Sequence, residues 1–461
     1  LNAMNTETIA AIATAAGSGG IGVVRISGPK ARAIGETITR CTLSPRHALF
    51  SDFKNADNNV IDQGIAIYFN APHSFTGEDV VELQGHGNRF VLDDILQRTL
   101  SLGARLAKPG EFSERAFLNN KIDLAQAEAI ADIIESTNAS AARNAVQSLS
   151  GEFSNKIHAL LEALTQLRIY IEATIDFPEE EIDLQTDAYV QSALFQTIDR
   201  LQAVLQQAKQ GSIIRDGLSL IIVGEPNTGK SSLLNQLAGN DLAIVSEQAG
   251  TTRDMLRETI VLDGLPLKLI DTAGLRISSD QIEQEGIRRA GQEIERADII
   301  FYLQDCNANP IDLQPSRHCI AEQLSQYKIA LPKNTLLVVV NNKIDLKQKR
   351  PEVLSAADLH TNYAAVAISA KEALGLDLLA EQIRLFCGLS NHTETNFTAR
   401  RRHLDILERC HQQLLIASEQ PAAELLAEDL RLTQHLLGGI TGAFSSDELL
   451  GEIFSSFCIG K

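Results

Sequence analysis

A chain of 461 residues with 44% hydrophobic and 22% charged content has room for about three packed domains, which excludes a disordered or low-complexity protein. A formal net charge of −18, no Trp and only 5% aromatic residues exclude a broadly basic surface and argue against a base-stacking platform, so any RNA-facing basic patch must be local. The six cysteines form no C-x-x-C pair and no apolar run nears the roughly 18 residues of a membrane span, so the expectation is a cytoplasmic protein without a zinc site, disulfide framework or membrane anchor.

Residues 4–121 read as mixed α/β, with strands predicted at 9–14, 22–26, 64–69 and 80–83 and helices near 30–40 and 89–102. Gly17-Ser-Gly19-Gly-Ile-Gly22 satisfies G-x-G-x-x-G, but β-type residues follow it, so the dinucleotide reading fails its own context. From 122 to 214 apolar residues recur at helical steps (Ile130, Ile133 and Ile134, then Leu160, Leu161, Leu164, Leu167 and Ile171). Pro178 and the acidic run 176–183 break that pattern and predict a solvated loop. Residues 215–386 read as a doubly wound nucleotide domain, with Asp263-Gly264 turning a hairpin at its sheet edge. Helical periodicity resumes over 387–461, at Leu404, Leu407, Leu414, Leu415, Leu425, Leu426, Leu430, Leu436 and Leu437. Helix before and helix after predicts a nucleotide domain inserted into one helical domain.

The motifs of the middle domain carry chemistry. Gly224-Glu-Pro-Asn227-Thr228-Gly229-Lys230-Ser231 fits G-x-x-x-x-G-K-[ST] between the apolar run 218–223 and the helical pattern beginning at Ser232. Backbone N–H groups of such a loop wrap phosphates, Lys230 reaches their outer oxygens, and the Ser231 hydroxyl ligates Mg²⁺. Gly250-Thr251-Thr252-Arg253-Asp254 offers Thr252 to the same metal, and Asp271-Thr272-Ala273-Gly274 ends another apolar run with a carboxylate and a glycine N–H. Asn342-Lys343-Ile344-Asp345 supplies a carboxylate for the guanine N1–H and 2-amino pair that adenine lacks, a lysine stem for the base plane, and an amide to tie the loops together. Ser369-Ala370-Lys371 supplies the backbone contact to guanine O6. Guanine-nucleotide binding follows from their order at predicted strand ends.

Hydrolysis is less orthodox. The position that is a water-orienting glutamine in Ras-like proteins is Leu275, which cannot hydrogen-bond to water. Residues 276–286 offer several polar candidates and no evident arginine finger. Asn227 reads either as a ligand for a monovalent cation beside the phosphates or as a turn residue stabilising its own loop.

The chain resembles the MnmE (TrmE) family of tRNA-modification GTPases from about Thr8 to Lys461. The resemblance rests on Gly20-Ile-Gly-Val-Val-Arg25-Ile-Ser-Gly28, Ser74-Phe-Thr-Gly-Glu-Asp79, Glu82-Leu-Gln-Gly-His-Gly87, Pro109-Gly-Glu-Phe-Ser-Glu-Arg-Ala-Phe117, Asp123-Leu-Ala-Gln-Ala-Glu-Ala129, the GTPase motifs and the terminal Phe457-Cys458-Ile-Gly-Lys461. Thr228 departs from the Ala usual in that loop. The resemblance implies an N-terminal folate-binding domain that forms homodimers, a helical domain and an inserted G domain. It implies Mg²⁺ held by Ser231 and Thr252, K⁺ by Asn227, Ser246, Gln248 and Thr251, and water oriented by Glu283. The implied GTP-binding set also takes in Ser232. Arg25, Glu82, Lys121 and Lys461 would bind 5-formyltetrahydrofolate or a related tetrahydrofolate, and Cys458, beside those residues in the pattern, would be catalytic in the one-carbon chemistry. Implied partners are tRNA and the flavoprotein MnmG (GidA), which carries the FAD. The product would be an aminomethyl or carboxymethylaminomethyl group at C5 of the wobble uridine. A ribosome-assembly GTPase of the Era or Der type is the alternative, but those lack the N-terminal segment and the Cys-Ile-Gly-Lys terminus.

Overall fold

The computed structural model describes residues 7–176, 187–239, 258–270, 294–295, 297–308, 315–325, 330–358, 361–389, 397–420, 422–444, 447–455, 457 and 460. The chain divides into two compact units. One comprises Leu1–Ala131, Ser148–Thr197 and Gln412–Lys461, the other Asp132–Gln147 and Ile198–His411.

The first unit opens with a six-stranded sheet of β1 (Ile9–Ile12), β2 (Gly19–Ser27), β3 (Leu49–Lys54), β4 (Val60–Phe69), β5 (Val80–Gly87) and β6 (Arg105–Leu106), in the order β3-β4-β5-β2-β1-β6. Alternation along the strands assigns the faces. Val24, Ile26, Val81 and Leu83 pack with Ile34 and Ile38 of α1 (Ala31–Thr39) and Leu92 and Ile95 of α2 (Arg89–Ser101). Ile9 and Ala11 point the other way, onto Phe112 of α3 (Glu111–Leu118). β2 starts at Gly19, inside the G-x-G-x-x-G match, so a strand stands where a dinucleotide fold would place a helix. β3 was not anticipated. Its Ser-Asp-Phe-Lys run has weak alternation; the buried Phe53 and pairing along the register Leu49↔Ala66 to Asp52↔Gln63 on β4 hold it.

Helices follow: α4 (Leu124–Glu135), α5 (Ala139–Leu149), α6 (Glu152–Asp176) and α7 (Ala188–Asp216). Leu160, Leu164, Leu167 and Ile171 are all buried, which is the predicted stripe of α6. The expected acidic loop 176–183 lies, from residue 177 onward, outside the described residues. After the nucleotide domain come α11 (Arg401–Ala417), α12 (Ala423–Thr441) and α13 (Asp447–Ser455). α12 packs along α6, where Gln434 donates to Thr165 Oγ1 at 2.7 Å. Phe454 and Phe457 close over Leu124 and Ala127 of α4.

The second unit contains a seven-stranded sheet of β7 (Leu218–Gly224), β8 (Glu258–Leu262), β9 (Leu265–Ile270), β10 (Ile299–Asp305), β11 (Leu336–Asn342), β12 (Glu352–Asp358) and β13 (Tyr363–Ala367). Its order is β12-β13-β11-β10-β7-β9-β8, parallel from β13 to β9 with an antiparallel strand at each edge. Strands covered on both faces need apolar residues at every position, as Leu336 to Val340 show. One face packs on Leu233 and Leu237 of α8 (Lys230–Gly239) and Leu379 and Ile383 of α10 (Leu376–Phe386). The other packs on Ile294, Ala297 and Ile320, the last in α9 (Arg317–Ser325). The hairpin turns at Asp263 (φ 49°) and Gly264 (φ 80°), the left-handed pair of a type I′ turn. This is a doubly wound, Ras-like P-loop sheet, inserted between helical segments of an α/β multidomain chain.

Candidate functional site

Parallel strands in register end together. Leu303↔Gly224, Asp305↔Asn342 and Asn341↔Ala367 bring the carboxyl ends of β7, β10, β11 and β13 to one edge, the place where open α/β sheets bind ligands. The phosphate loop leaves β7 here and enters α8. Asn227 is exposed and left-handed at φ 63°, a conformation asparagine tolerates. Gly229 has φ 100°, and a Cβ there would lie 2.2 Å from Asn342 Nδ2, so a side chain at 229 would push the two loops apart. Thr228 is buried and donates to Glu225 O at 2.9 Å, which gives its hydroxyl a partner within the loop. Lys230 Nζ donates to the carbonyls of Gly224 and Glu225, both at 2.8 Å. Burial pushes that ammonium's pKa down. Ser231 and Ser232 stand exposed on the first turn of α8.

Asn342 joins three segments. It is buried, donates from Nδ2 to Thr228 O at 2.8 Å and accepts from Ala370 N at 2.9 Å, so one amide spans the phosphate loop and the loop after β13. Asp345 Oδ1 accepts from Ser369 Oγ at 2.7 Å, and Ser369 Oγ accepts in turn from Glu372 N at 3.2 Å. Ser369 thereby orients one oxygen of the carboxylate expected to read guanine. Lys371 is exposed beside them. Lys343 is left-handed at φ 69°, and its ammonium meets Asp305 Oδ2 at 2.8 Å. Sequence reasoning missed Asp305. The available signal was its place at the end of the run Ile299–Asp305, level with Asn342. Burial acts against its carboxylate, yet donation from Lys343 and Asn307 outweighs this and holds its pKa below the ordinary range.

In the first unit Arg25 and Glu82 face each other across β2 and β5, with Nε to Oε1 at 3.0 Å. The guanidinium lies 5.7 Å from the Phe75 ring centre and 5.8 Å from that of Phe112. Lys121 Nζ donates instead to Pro72 O at 3.0 Å. A Cβ at Gly460 (φ 97°) would lie 2.4 Å from Ile12 O, so the chain's penultimate residue runs against β1, whose Ala11 is the register partner of Arg25. Behind Phe112 sits a network that sequence reading did not separate from its motif. Glu111 is bound by Arg105 and Arg115, and Arg115 also binds Glu78.

Two family descriptions match. The one for the GTP-binding protein TrmE N-terminus covers residues 8–121, and the one for the MnmE helical domain covers residues 124–458. A tRNA modification GTPase MnmE of Saccharophagus degradans is 52% identical, with 100% of both chains covered. Its counterpart in Histophilus somni is 51% identical over 99% of this chain and 100% of that one. The chain belongs to the MnmE family of tRNA modification GTPases. A solved structure of Aquifex aeolicus Era bound to GDP and aluminium fluoride aligns with a TM-score of 0.26 and 24% identity, over 45% of this chain and 69% of that one. Several residues that the MnmE resemblance implicates lie outside the described residues: Ser246, Gln248, Thr251, Thr252, Asp271, Thr272, Ala273, Gly274, Glu283, Cys458 and Lys461. Among the described residues no helix is long and apolar enough to cross a membrane, and no cluster of His, Cys, Asp or Glu has metal-binding form. The metal ligands nominated from sequence are hydroxyls and amides, which such a cluster would not include.

Proposed function

We propose that this chain hydrolyses GTP with a potassium ion and a carboxylate in place of the usual arginine and glutamine, and that this cycle drives modification of the tRNA wobble uridine. The observation that carries the nucleotide half is the Asn342 bridge, which holds the phosphate loop and the base-reading loops in one register. On binding, Lys230 would exchange its two loop carbonyls for phosphate oxygens. Ser231 and Thr252 would hold Mg²⁺, which neutralises charge on the phosphates. Asn227, Ser246, Gln248 and Thr251 would hold K⁺, and Glu283 would orient the water that Leu275 cannot. GTP contacts would extend over Thr228, Gly229, Ser232, Asp271, Thr272, Ala273, Gly274, Asn342, Lys343, Asp345, Ser369, Ala370 and Lys371.

The N-terminal domain (4–121) would dimerise and bind a tetrahydrofolate such as 5-formyltetrahydrofolate. Arg25 between Phe75 and Phe112, with Glu82 beside it, supports this reading, since a pterin offers a flat ring and amide-like donors and acceptors. Lys121 and Lys461 would meet the anionic tail and Cys458 the one-carbon unit. The position of Gly460 against β1 supports a terminus that reaches this region. The flavoprotein MnmG would supply redox chemistry with its FAD, and the helical segments 122–214 and 387–461 would flank the G domain at 215–386.

Hydrolysis should rise more than about tenfold when K⁺ replaces Na⁺ at constant ionic strength, the scale of a lost electrostatic contact in the transition state. Equal rates in the two salts would remove the cation. Glu283→Ala should cut turnover roughly 10²-fold while GTP affinity holds; a matching loss of affinity would make Glu283 structural.

A further inference from the structure

We propose that Asp305 is a positioning residue for nucleotide binding, holding the Lys343 ammonium so that the lysine stem lies over the guanine base. The inference rests on the reading of 342–345 as the guanine loop and adds a residue outside its motif. The geometry is over-determined. Asp305 ends β10 level with Asn342 on β11. Its Oδ1 accepts from Asn307 N at 2.8 Å and Asn307 Nδ2 at 3.0 Å, which fixes the carboxylate plane and leaves Oδ2 to take Lys343 Nζ at 2.8 Å. The next residue pins the other end of the lysine. Cys306 N donates to Asn342 O at 3.1 Å and Cys306 Sγ donates to Lys343 O at 3.2 Å. Lys343 thus has its backbone held in the left-handed region and its ammonium held by a charge, with the methylenes stretched between.

A lysine stem covers a base through those methylenes, so its ammonium needs a partner that does not compete with the ligand. Without one, the side chain must be ordered when the nucleotide binds, and affinity falls by that ordering cost. Asp305 removes the cost in advance. Both side chains keep partial exposure, 30% for Lys343 and 23% for Asp305, so the pair is worth a surface bridge's upper range rather than a buried one's.

The test is a double-mutant cycle in the full chain, read as the dissociation constant of a fluorescent GDP. Asp305→Asn should weaken binding roughly fivefold when Lys343 is present. In the Lys343→Met background the same change should have less than about a twofold effect, because the group it positions is gone. An equal loss in both backgrounds overturns the proposal, since the carboxylate then acts on the fold. Unchanged or tighter binding by Asp305→Asn also overturns it, the latter because Asp305 would be competing with the base for the lysine. Hydrogen exchange of β7 and β11 is followed in each variant, and lost protection in Asp305→Asn counts against positioning. Asp345→Asn tests the underlying reading separately: it should move preference from guanosine to xanthosine diphosphate. If it does not, the guanine-loop assignment fails, whatever Asp305 does.

Discussion

Glu111 is the buried carboxylate in the first unit whose charge is most heavily engaged by its neighbours. It is only 3% exposed, yet both its oxygens are fully engaged: Oε1 with Arg105 NH2 at 2.6 Å and Arg115 NH2 at 3.0 Å, Oε2 with Arg105 NH1 and Lys108 N, each at 2.8 Å. Burial opposes the charged form, but these donors outweigh it and bring the carboxyl down to about 2 from an ordinary 4.5. The folded value lies below the unfolded one, so the associated stability is fully present above about pH 4.5 and is lost as the pH falls toward about 2. The fall from 4.5 to about 2 corresponds to about 3 kcal/mol. Glu111→Gln keeps the shape and removes the charge, and it leaves Arg115, 2% exposed, with Glu78 as its remaining carboxylate. At pH 7 the variant should lose about 3 kcal/mol of local stability around α3. Urea-dependent hydrogen exchange of peptides from 105–118 in the full chain reads this without requiring all-or-none unfolding of a chain with two units. The gap between variant and wild type should close from pH 4.5 downward. A gap that stays constant from pH 7 to 3 would refute the linkage, and no gap at pH 7 would refute the assigned strength.

Two further substitutions probe the nucleotide unit. Asn342→Ala leaves the Thr228 carbonyl and the Ala370 N–H without this partner in a buried place, at about 1–3 kcal/mol for each group left unmade. Taking about 2 kcal/mol as the net effect on loop register, GDP should bind roughly 30-fold more weakly by fluorescence titration; a change under about threefold would mean the loops hold register without the bridge. Asp132→Asn should lower the urea midpoint of the second unit by an amount equivalent to about 2 kcal/mol. That is below the range for a fully buried pair because Arg215 and Arg400 are 22% and 18% exposed against 3% for the aspartate. An unchanged midpoint would show the two arginines to be satisfied elsewhere.

Legibility in the sequence followed periodicity and contiguity. The five parallel strands of the nucleotide sheet are near-continuous apolar runs, and motif residues sit at their ends, so Lys230, Asn342, Asp345 and Ser369 could be placed before any geometry was seen. The I′ turn was legible because Asp-Gly is what two left-handed residues require. β3 was illegible because its run shows little alternation: Phe53 alone is fully buried, and pairing with β4 supplies the rest. The antiparallel edge strand β12 was unread for a similar reason: Val353 pairs with Val366, but two register shifts interrupt the ladder. Asp305 was missed as a partner because it meets its cation through tertiary proximity, and the network around Glu111 was missed because Glu78 joins it in the same way. Arg115 lies four residues from Glu111, but Glu78 lies 37 residues from Arg115, and Lys343 lies 38 residues from Asp305.

The insertion itself has a physical signature. A domain can be inserted where its two chain ends meet, and that demand can be read within the second unit. Arg215 stands in the last turn of α7, three residues before β7 begins, and Arg400 immediately precedes α11, after the nucleotide sheet is complete. Both guanidinium groups bind the same oxygen of Asp132 on α4, at 2.8 and 2.7 Å, so entry and exit are held within one hydrogen-bonding sphere. Thr398 Oγ1 donates to the second oxygen at 3.3 Å. One buried carboxylate therefore fixes a closure between two arginines 185 positions apart in the sequence. Any rearrangement at β7 that moved the end of α7 would have to carry Arg400 with it or break a charge-assisted bond in a buried place. The junction is in this sense stiff by electrostatics where a simple loop would be soft.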